Sequence, residues 1–194
     1  RQIVDLRKQK PELKVLLSIG GWGSGRFSEM AANDEYRRAF AADCDRVVKE
    51  FALDGIDIDW EYPTSSMANI SSSPDDTENF TLLMQDIRAA IGNEKELTLA
   101  TVASARYIDF KAILPSVDFV NIMAYDMASA PKHHSALYPS GHSGDITSDG
   151  AVTAHLKAGV PPSKLVMGMP FYGRGGDGYP SFQDYNKVGN TDTQ

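Results

Sequence analysis

The sequence has little with which to cross-link, span a membrane or neutralise a polyanion. It holds one cysteine, Cys44, among 194 residues, which excludes an internal disulfide and leaves the redox compartment open. No apolar run approaches the ~18 residues of a membrane span. The opening stretch is polar and charged, without the apolar core of a signal peptide. Basic residues are the minority: 19 Lys and Arg stand against 26 Asp and Glu, for a formal net charge of −7. No basic cluster offsets that balance, so a nucleic-acid partner is disfavoured, and an uncharged or cationic ligand fits better. Internal repeats and extended low-complexity segments are lacking. The glycines around Trp22 are not followed by the Lys-Ser/Thr pair that would make them a phosphate loop.

What remains is a length suited to one globular domain with a substantial core. Within it, residues 54–61 carry an unusual cost. Asp54, Gly55, Ile56, Asp57, Ile58, Asp59, Trp60 and Glu61 alternate acid and apolar with the period of a β-strand. Asp57, Asp59 and Glu61 are thereby expected on one face. Three carboxylates there are expensive to desolvate and repel one another. A metal site is one use for such a cluster, since carboxylates bind Mg²⁺ or Ca²⁺; the hydrophilic spacing and central glycine of an EF-hand loop are missing. Acid catalysis is another.

The rest of the chain alternates strand and helix signals. Residues 1–10 read as the tail of an amphipathic helix and 14–19 as a buried strand. Residues 34–51 read as a helix capped by Asn33 or Asp34, with Phe40, Cys44, Val47, Val48 and Phe51 on one face. Cys44 reads there as a packing residue. A polar loop covers 64–76. A second helix follows, with Asp75 and Glu78 as a capping box, an apolar stripe from Phe80 to Ile91, and Gly92 as its stop. Residues 97–103 and 118–125 read as strands, with a short helix over 107–114 between them. Residues 127–147 form a long loop, in which His133 and His134 read as solvated. Ser148 caps a helix over 149–158, and 164–169 form the last strand. Such alternation predicts a parallel sheet, either open or closed into a barrel. In a barrel, active residues sit at the C-terminal ends of strands. Trp22, Glu61, Tyr125, Asp126, Tyr172 and Arg174 all fall there, and Asn121, Met123 and Tyr125 share a face.

At these residues the chain resembles the chitinase-type glycoside hydrolases of family 18. Ser18-Ile-Gly-Gly21 matches that family's third-strand motif. Asp54-Gly-Ile-Asp57-Ile-Asp59-Trp-Glu61 matches its DGxDxDxE motif in full. Met123-Ala-Tyr125-Asp126 and Met169-Pro-Phe-Tyr172-Gly-Arg174 match its sixth- and seventh-strand motifs. The resemblance implies an α/β fold, a (β/α)₈ barrel of which strands three to seven lie in residues 1–174. Residues 175–194 would open a small α+β insertion after strand seven. Strands one, two and eight, and the eighth strand's sugar-floor tryptophan, have no counterpart. A whole barrel takes ~250 residues, so a fragment with its first and fifth strands as open edges is expected.

The resemblance further implies hydrolysis of β-1,4-linked N-acetylglucosamine chains, as in chitin, with retention and with the substrate's own N-acetyl group as nucleophile. Glu61 would be the general acid, Asp59 would hold the acetamido N–H, Asp57 would share a proton with Asp59, and Tyr125 would bond the acetyl oxygen. Trp22 would stack on a sugar, and Tyr62, Met123, Asp126, Tyr172 and Arg174 would line the site. For Arg174 a purely structural ion pair is an equal alternative. A monomer needing no metal or cofactor, exported from the cell, is the expectation. Two other readings remain: an endo-β-N-acetylglucosaminidase acting on N-glycans, and a chitin-binding lectin. Lectins on this fold typically lose the acid that Glu61 supplies here.

Overall fold

The computed structural model describes residues 2–174. Five parallel strands lie in chain order: β1 (Leu16–Gly20), β2 (Gly55–Asp59), β3 (Glu96–Val102), β4 (Phe119–Met123) and β5 (Leu165–Met167). The helices are α1 (Gln2–Asp5), α2 (Phe27–Ala32), α3 (Asp34–Phe51), α4 (Asp76–Ile91), α5 (Phe110–Ile113) and α6 (Ser148–Lys157), with 3₁₀ turns at Leu6–Lys8 and Pro162–Lys164. Consecutive parallel neighbours, each joined by a helical crossover, are the repeating unit of the expected (β/α)₈ barrel.

The β2 alternation sorts the two faces as its period demands. Ile56, Ile58 and Trp60 are fully buried in the main core, with Phe80, Leu83, Met84 and Ile87 of α4 and Cys44 and Val48 of α3. Asp57 and Asp59 therefore project to the opposite face. Trp60 stacks on Phe27 and meets Phe80 edge-on, with ring centroids 5.4 and 5.5 Å apart. Cys44 is buried, and that burial pushes its thiol up to about 12, as a packing residue's should be. The outer strands are less covered: Leu17 of β1 and Val166 and Met167 of β5 remain exposed.

Several local details differ from the sequence reading. The N-terminal helix is one turn of α1 plus a 3₁₀ turn. Of the two caps expected for α3, Asn33 is the one used, accepting from the Tyr36 amide at 3.0 Å. Helix α2 was not expected; its start at Arg26 needs a left-handed backbone (φ 73°) that no local signal marks. Asp75 makes no cap bond. Its neighbour Asp76 is fully buried and accepts from the Ser28 hydroxyl (2.7 Å) and from the Ser73 and Thr64 amides (2.7 and 3.1 Å). The helix expected over 107–114 shortens to α5, because Ala105 and Tyr107 take positive φ and Asp109 becomes the cap. Thr147, not Ser148, caps α6, accepting from the Gly150 amide at 3.2 Å. Strands β2, β4 and β5 end before the rim residues expected within them, so Glu61 and Tyr125 lie two residues past the last paired position. Residues 175–194, expected to open an insertion, lie outside the described residues.

Two contacts fix the frame under the rim. His155 is fully buried; its Nδ1–H donates to the Ala151 carbonyl (2.8 Å), so Nε2 accepts from the Thr101 hydroxyl (2.8 Å), tying α6 to β3. Asp54 accepts from the Val15 amide at 2.5 Å and pairs with Arg7, anchoring the lead-in to β2.

Candidate active site

The parallel register builds the site in layers. Ser18 of β1 and Thr98 of β3 are the register partners of Asp57. Both hydroxyls donate to its carboxylate, at 2.6 Å each, and Asn121 of β4 adds a bond from Nδ2 at 3.1 Å. Asp57 is thus held by three donors from three strands. One layer nearer the rim the supply of donors stops. The partner of Asp59 on β1 is Gly20, which has no side chain. On β3 the residue after the last paired position, Leu99, is Ala100. The Asp59 Oδ1 is buried with no hydrogen-bond partner among the described residues.

Gly20 is required for that approach. A Cβ there would lie 2.0 Å from the Asp59 carbonyl oxygen, and its φ of 126° suits only glycine. The last bond between β1 and β2 is from the Gly21 amide to that same carbonyl, at 2.8 Å.

Burial, with the Glu61 and Asp57 charges behind it, raises the Asp59 carboxyl from 3.8 to about 7. Burial also raises Glu61; a hydrogen bond from Tyr62 pulls it back, and the Asp126 charge adds to the rise. The Tyr125 phenol is raised by burial and by the charges of Asp59, Glu61, Asp126 and Asp57. Its ring occupies the space that a side chain at residue 168 would need: a Cβ on Gly168 would stand 2.9 Å from Tyr125 Cε1 and 2.8 Å from the Ile122 carbonyl oxygen.

Above this lies a cleft of about 1310 Å³. Trp22, Asp59, Glu61, Tyr62, Met123, Tyr125, Asp126, Tyr172 and Arg174 all line it; Asp57 lies beneath. Every residue singled out in the sequence is therefore at one place. Asp126 and Arg174 form a two-pronged ion pair, so the structural alternative for Arg174 holds alongside its place in the cleft wall. Burial pushes the Asp126 carboxyl up, but hydrogen bonds from Arg174 and Tyr172 outweigh it and hold it below its ordinary value. Burial and the bond to Asp126 move the Tyr172 phenol up to about 12. The Arg174 guanidinium lies 5.5 Å from the Tyr172 ring centroid.

Three features escaped the sequence reading. Tyr107 stacks on Tyr62 at 5.3 Å, Tyr62 meets Trp22 edge-on at 6.4 Å, and Arg106 covers Tyr107 at 5.7 Å. These aromatic faces form a row along one wall. The rim rule points to Tyr107 as well, since it follows the end of β3, but the helical pattern over 107–114 masks it. Met67 enters the cleft from the loop after β2. His134, read as solvated, is packed against Asp126 with its side chain 13% exposed. Among the described residues, no three His, Cys, Asp or Glu side chains converge at metal-ligand spacing, and no helix is long and apolar enough to cross a membrane.

Comparison with known proteins agrees with this arrangement. A family model described as glycosyl hydrolases family 18 matches residues 1–191. The chitinase domain of the spore coat protein CotE from Clostridium difficile superposes with a TM-score of 0.91 at 39% identity, over 96% of this chain and 57% of that one. A family 18 N-acetylglucosaminidase from Paenibacillus barengoltzii gives 0.82 at 39% identity, over 88% and 55%. Chitinase A1 of Niallia circulans is 38% identical over 91% of this chain and 29% of its own length. The chain spans 29%, 41% and 37% of three of its curated relatives.

Proposed function

Because the chain belongs to the glycosyl hydrolases of family 18, we propose that it carries the acid wall of an enzyme that cleaves β-1,4 bonds between N-acetylglucosamine units of chitin. In this reading residues 1–174 supply five β/α units of the barrel, and residues 175–194 begin an insertion after the last of their strands. The observation that carries the reading is the contrast between Asp57, with three donors, and Asp59, a cleft-lining carboxyl with one buried oxygen that has no hydrogen-bond partner among the described residues. A buried carboxyl without a donor is costly unless a ligand supplies one. The N–H of an acetamido group is such a donor.

The chemistry follows from the layering. A glycosidic oxygen must be protonated as it leaves, and positive charge develops at the sugar carbon. Glu61, raised by burial and held at the rim, keeps a proton and gives it to the leaving oxygen. Asp59 accepts the acetamido N–H and aligns the acetyl oxygen for attack on its own sugar carbon. Tyr125 donates to that oxygen. As the oxazolinium charge develops, ionised Asp59 stabilises it, and the proton it gives up passes toward Asp57. Glu61, now a carboxylate, takes a proton from the water that opens the ring, and the configuration is retained. The cation is neutralised by acids already in place, so no metal is needed. The exposed Trp22 offers a flat face to the C–H face of a sugar. The net negative charge is indifferent to an uncharged polymer, and chitin is too large to enter a cell, so the enzyme meets it outside.

The Paenibacillus relative favours a second reading, in which single N-acetylglucosamine units are released. Both share the acetamido chemistry and differ in product length. In the whole protein, Glu61→Gln should reduce hydrolysis of chitin oligosaccharides by at least about 10³-fold while binding is kept. Turnover within tenfold (about 1.4 kcal/mol) of the wild type in that variant, or inverted product anomers by NMR, would sink the scheme. The product profile then separates oligosaccharide from monosaccharide release.

A further inference from the structure

The long loop after β4 leaves the cleft at Asp126 and returns past it at His134. Two bonds close its neck. The Asp126 amide donates to His134 Nδ1 at 3.2 Å, and the Met127 amide donates to the His134 carbonyl at 2.9 Å. Between these points Met127, Ala128, Ser129 and Ala130 line the cleft. The imidazole also stacks on Tyr172, with centroids 5.4 Å apart, and Tyr172 in turn meets Tyr125 edge-on at 6.3 Å. His134 Nδ1 lies 3.3 Å from the Asp126 Oδ1 as well. One ring nitrogen thus faces both the amide and the carboxylate of the same residue.

A nitrogen that accepts from an amide carries no proton, so the neutral ring has its hydrogen on Nε2. The charged or titratable groups facing the ring are Asp126, from the exit of β4, and Tyr172 and Arg174, from the exit of β5. The neighbouring His133 stacks instead on His142, at 5.8 Å.

We infer that His134 is a positioning residue for the sugar site: its Nδ1, the acceptor for the Asp126 amide, and its ring hold Asp126 and Tyr172 in place. The inference rests on the chitinase reading for its kinetic consequence, but its geometry can be read independently. It acts through residues of the cleft wall and touches no reacting atom.

The whole protein is the material for the test. At pH 8 the ¹⁵N shifts of the His134 ring should show Nδ1 unprotonated and Nε2 protonated; a proton on Nδ1 at that pH overturns the inference. With chitin oligosaccharides, His134→Ala should lower kcat/KM about tenfold, mostly through KM, short of the hundredfold that ~1 Å of misplacement at the chemistry itself can cost. His134→Asn, whose Oδ1 stands where Nδ1 does and accepts the same amide, should recover most of that loss. A folded His134→Ala variant with wild-type kcat/KM overturns it. A wild-type protein inactive on every oligosaccharide sinks the chitinase reading, and the ring-nitrogen spectrum then decides the positioning geometry alone.

Discussion

Asp57 and Asp59 stand two residues apart on one strand face, and only the first is supplied with donors. Ser18, Thr98 and Asn121 converge on Asp57, whereas Asp59 keeps a buried oxygen with no partner among the described residues. The difference comes from the neighbouring strands, which offer hydroxyls in one layer and a glycine in the next.

That difference makes Asp59 a pH-dependent load on the fold. Its carboxyl rises from 3.8 to about 7 on folding, chiefly through burial. A raised value means that the folded state binds the proton more tightly than the unfolded chain. The stabilisation is therefore complete below the unfolded value of 3.8 and is lost as pH rises through about 7. Asp59→Asn, which cannot ionise, should raise the melting temperature at pH 8 and leave it nearly unchanged at pH 4. Melts in which the variant shifts equally at both pH values would contradict this.

Gly168 should tolerate no side chain. Its nearest neighbours are the Tyr125 ring and the Ile122 carbonyl, both within 3 Å of where a Cβ would stand. Gly168→Ala must displace one of them, at a cost of about 1–3 kcal/mol. Since the tyrosine is the softer neighbour, activity on chitin oligosaccharides should fall more than denaturant midpoints do. Wild-type kcat in that variant would show that Tyr125 is free to move.

The buried Asp76 ties the loop after β2, with Met67 in it, to the start of α2. Asp76→Ala leaves the Ser28 hydroxyl and the Thr64 and Ser73 amides without their acceptor. A loss of about 3 kcal/mol in urea unfolding is expected. Asp76→Asn should recover only part, because its amide nitrogen cannot accept. A loss below about 0.5 kcal/mol would mean that water replaces the carboxylate.

Much of this was legible in the chain because two periodicities are insensitive to context. Alternation by twos put Asp57 and Asp59 on the face away from Ile56 and Ile58, and spacing by threes and fours picked the buried face of α4. The strand-end rule gathered Trp22, Glu61, Tyr125, Asp126, Tyr172 and Arg174 around one cleft. What was not legible depends on partners distant in sequence. Nothing local distinguishes Asp76, which meets Ser28 across 48 positions, from Asp75 beside it. Tyr107 was hidden by a helical pattern that the positive φ at Ala105 and at Tyr107 itself interrupts. His134 looked like any loop histidine, because its partners arrive from the ends of two different strands.

Cys44 has a practical consequence. The only thiol in the chain is sealed on the buried face of α3, and burial keeps it from ionising at ordinary pH. Thiol-directed dyes react through the thiolate, so this stretch of chain is silent toward them when folded. A cysteine introduced at the exposed Met67, on the margin of the cleft, would be the sole point of attachment. A fluorophore there could follow oligosaccharide occupancy directly, with no native residue first removed.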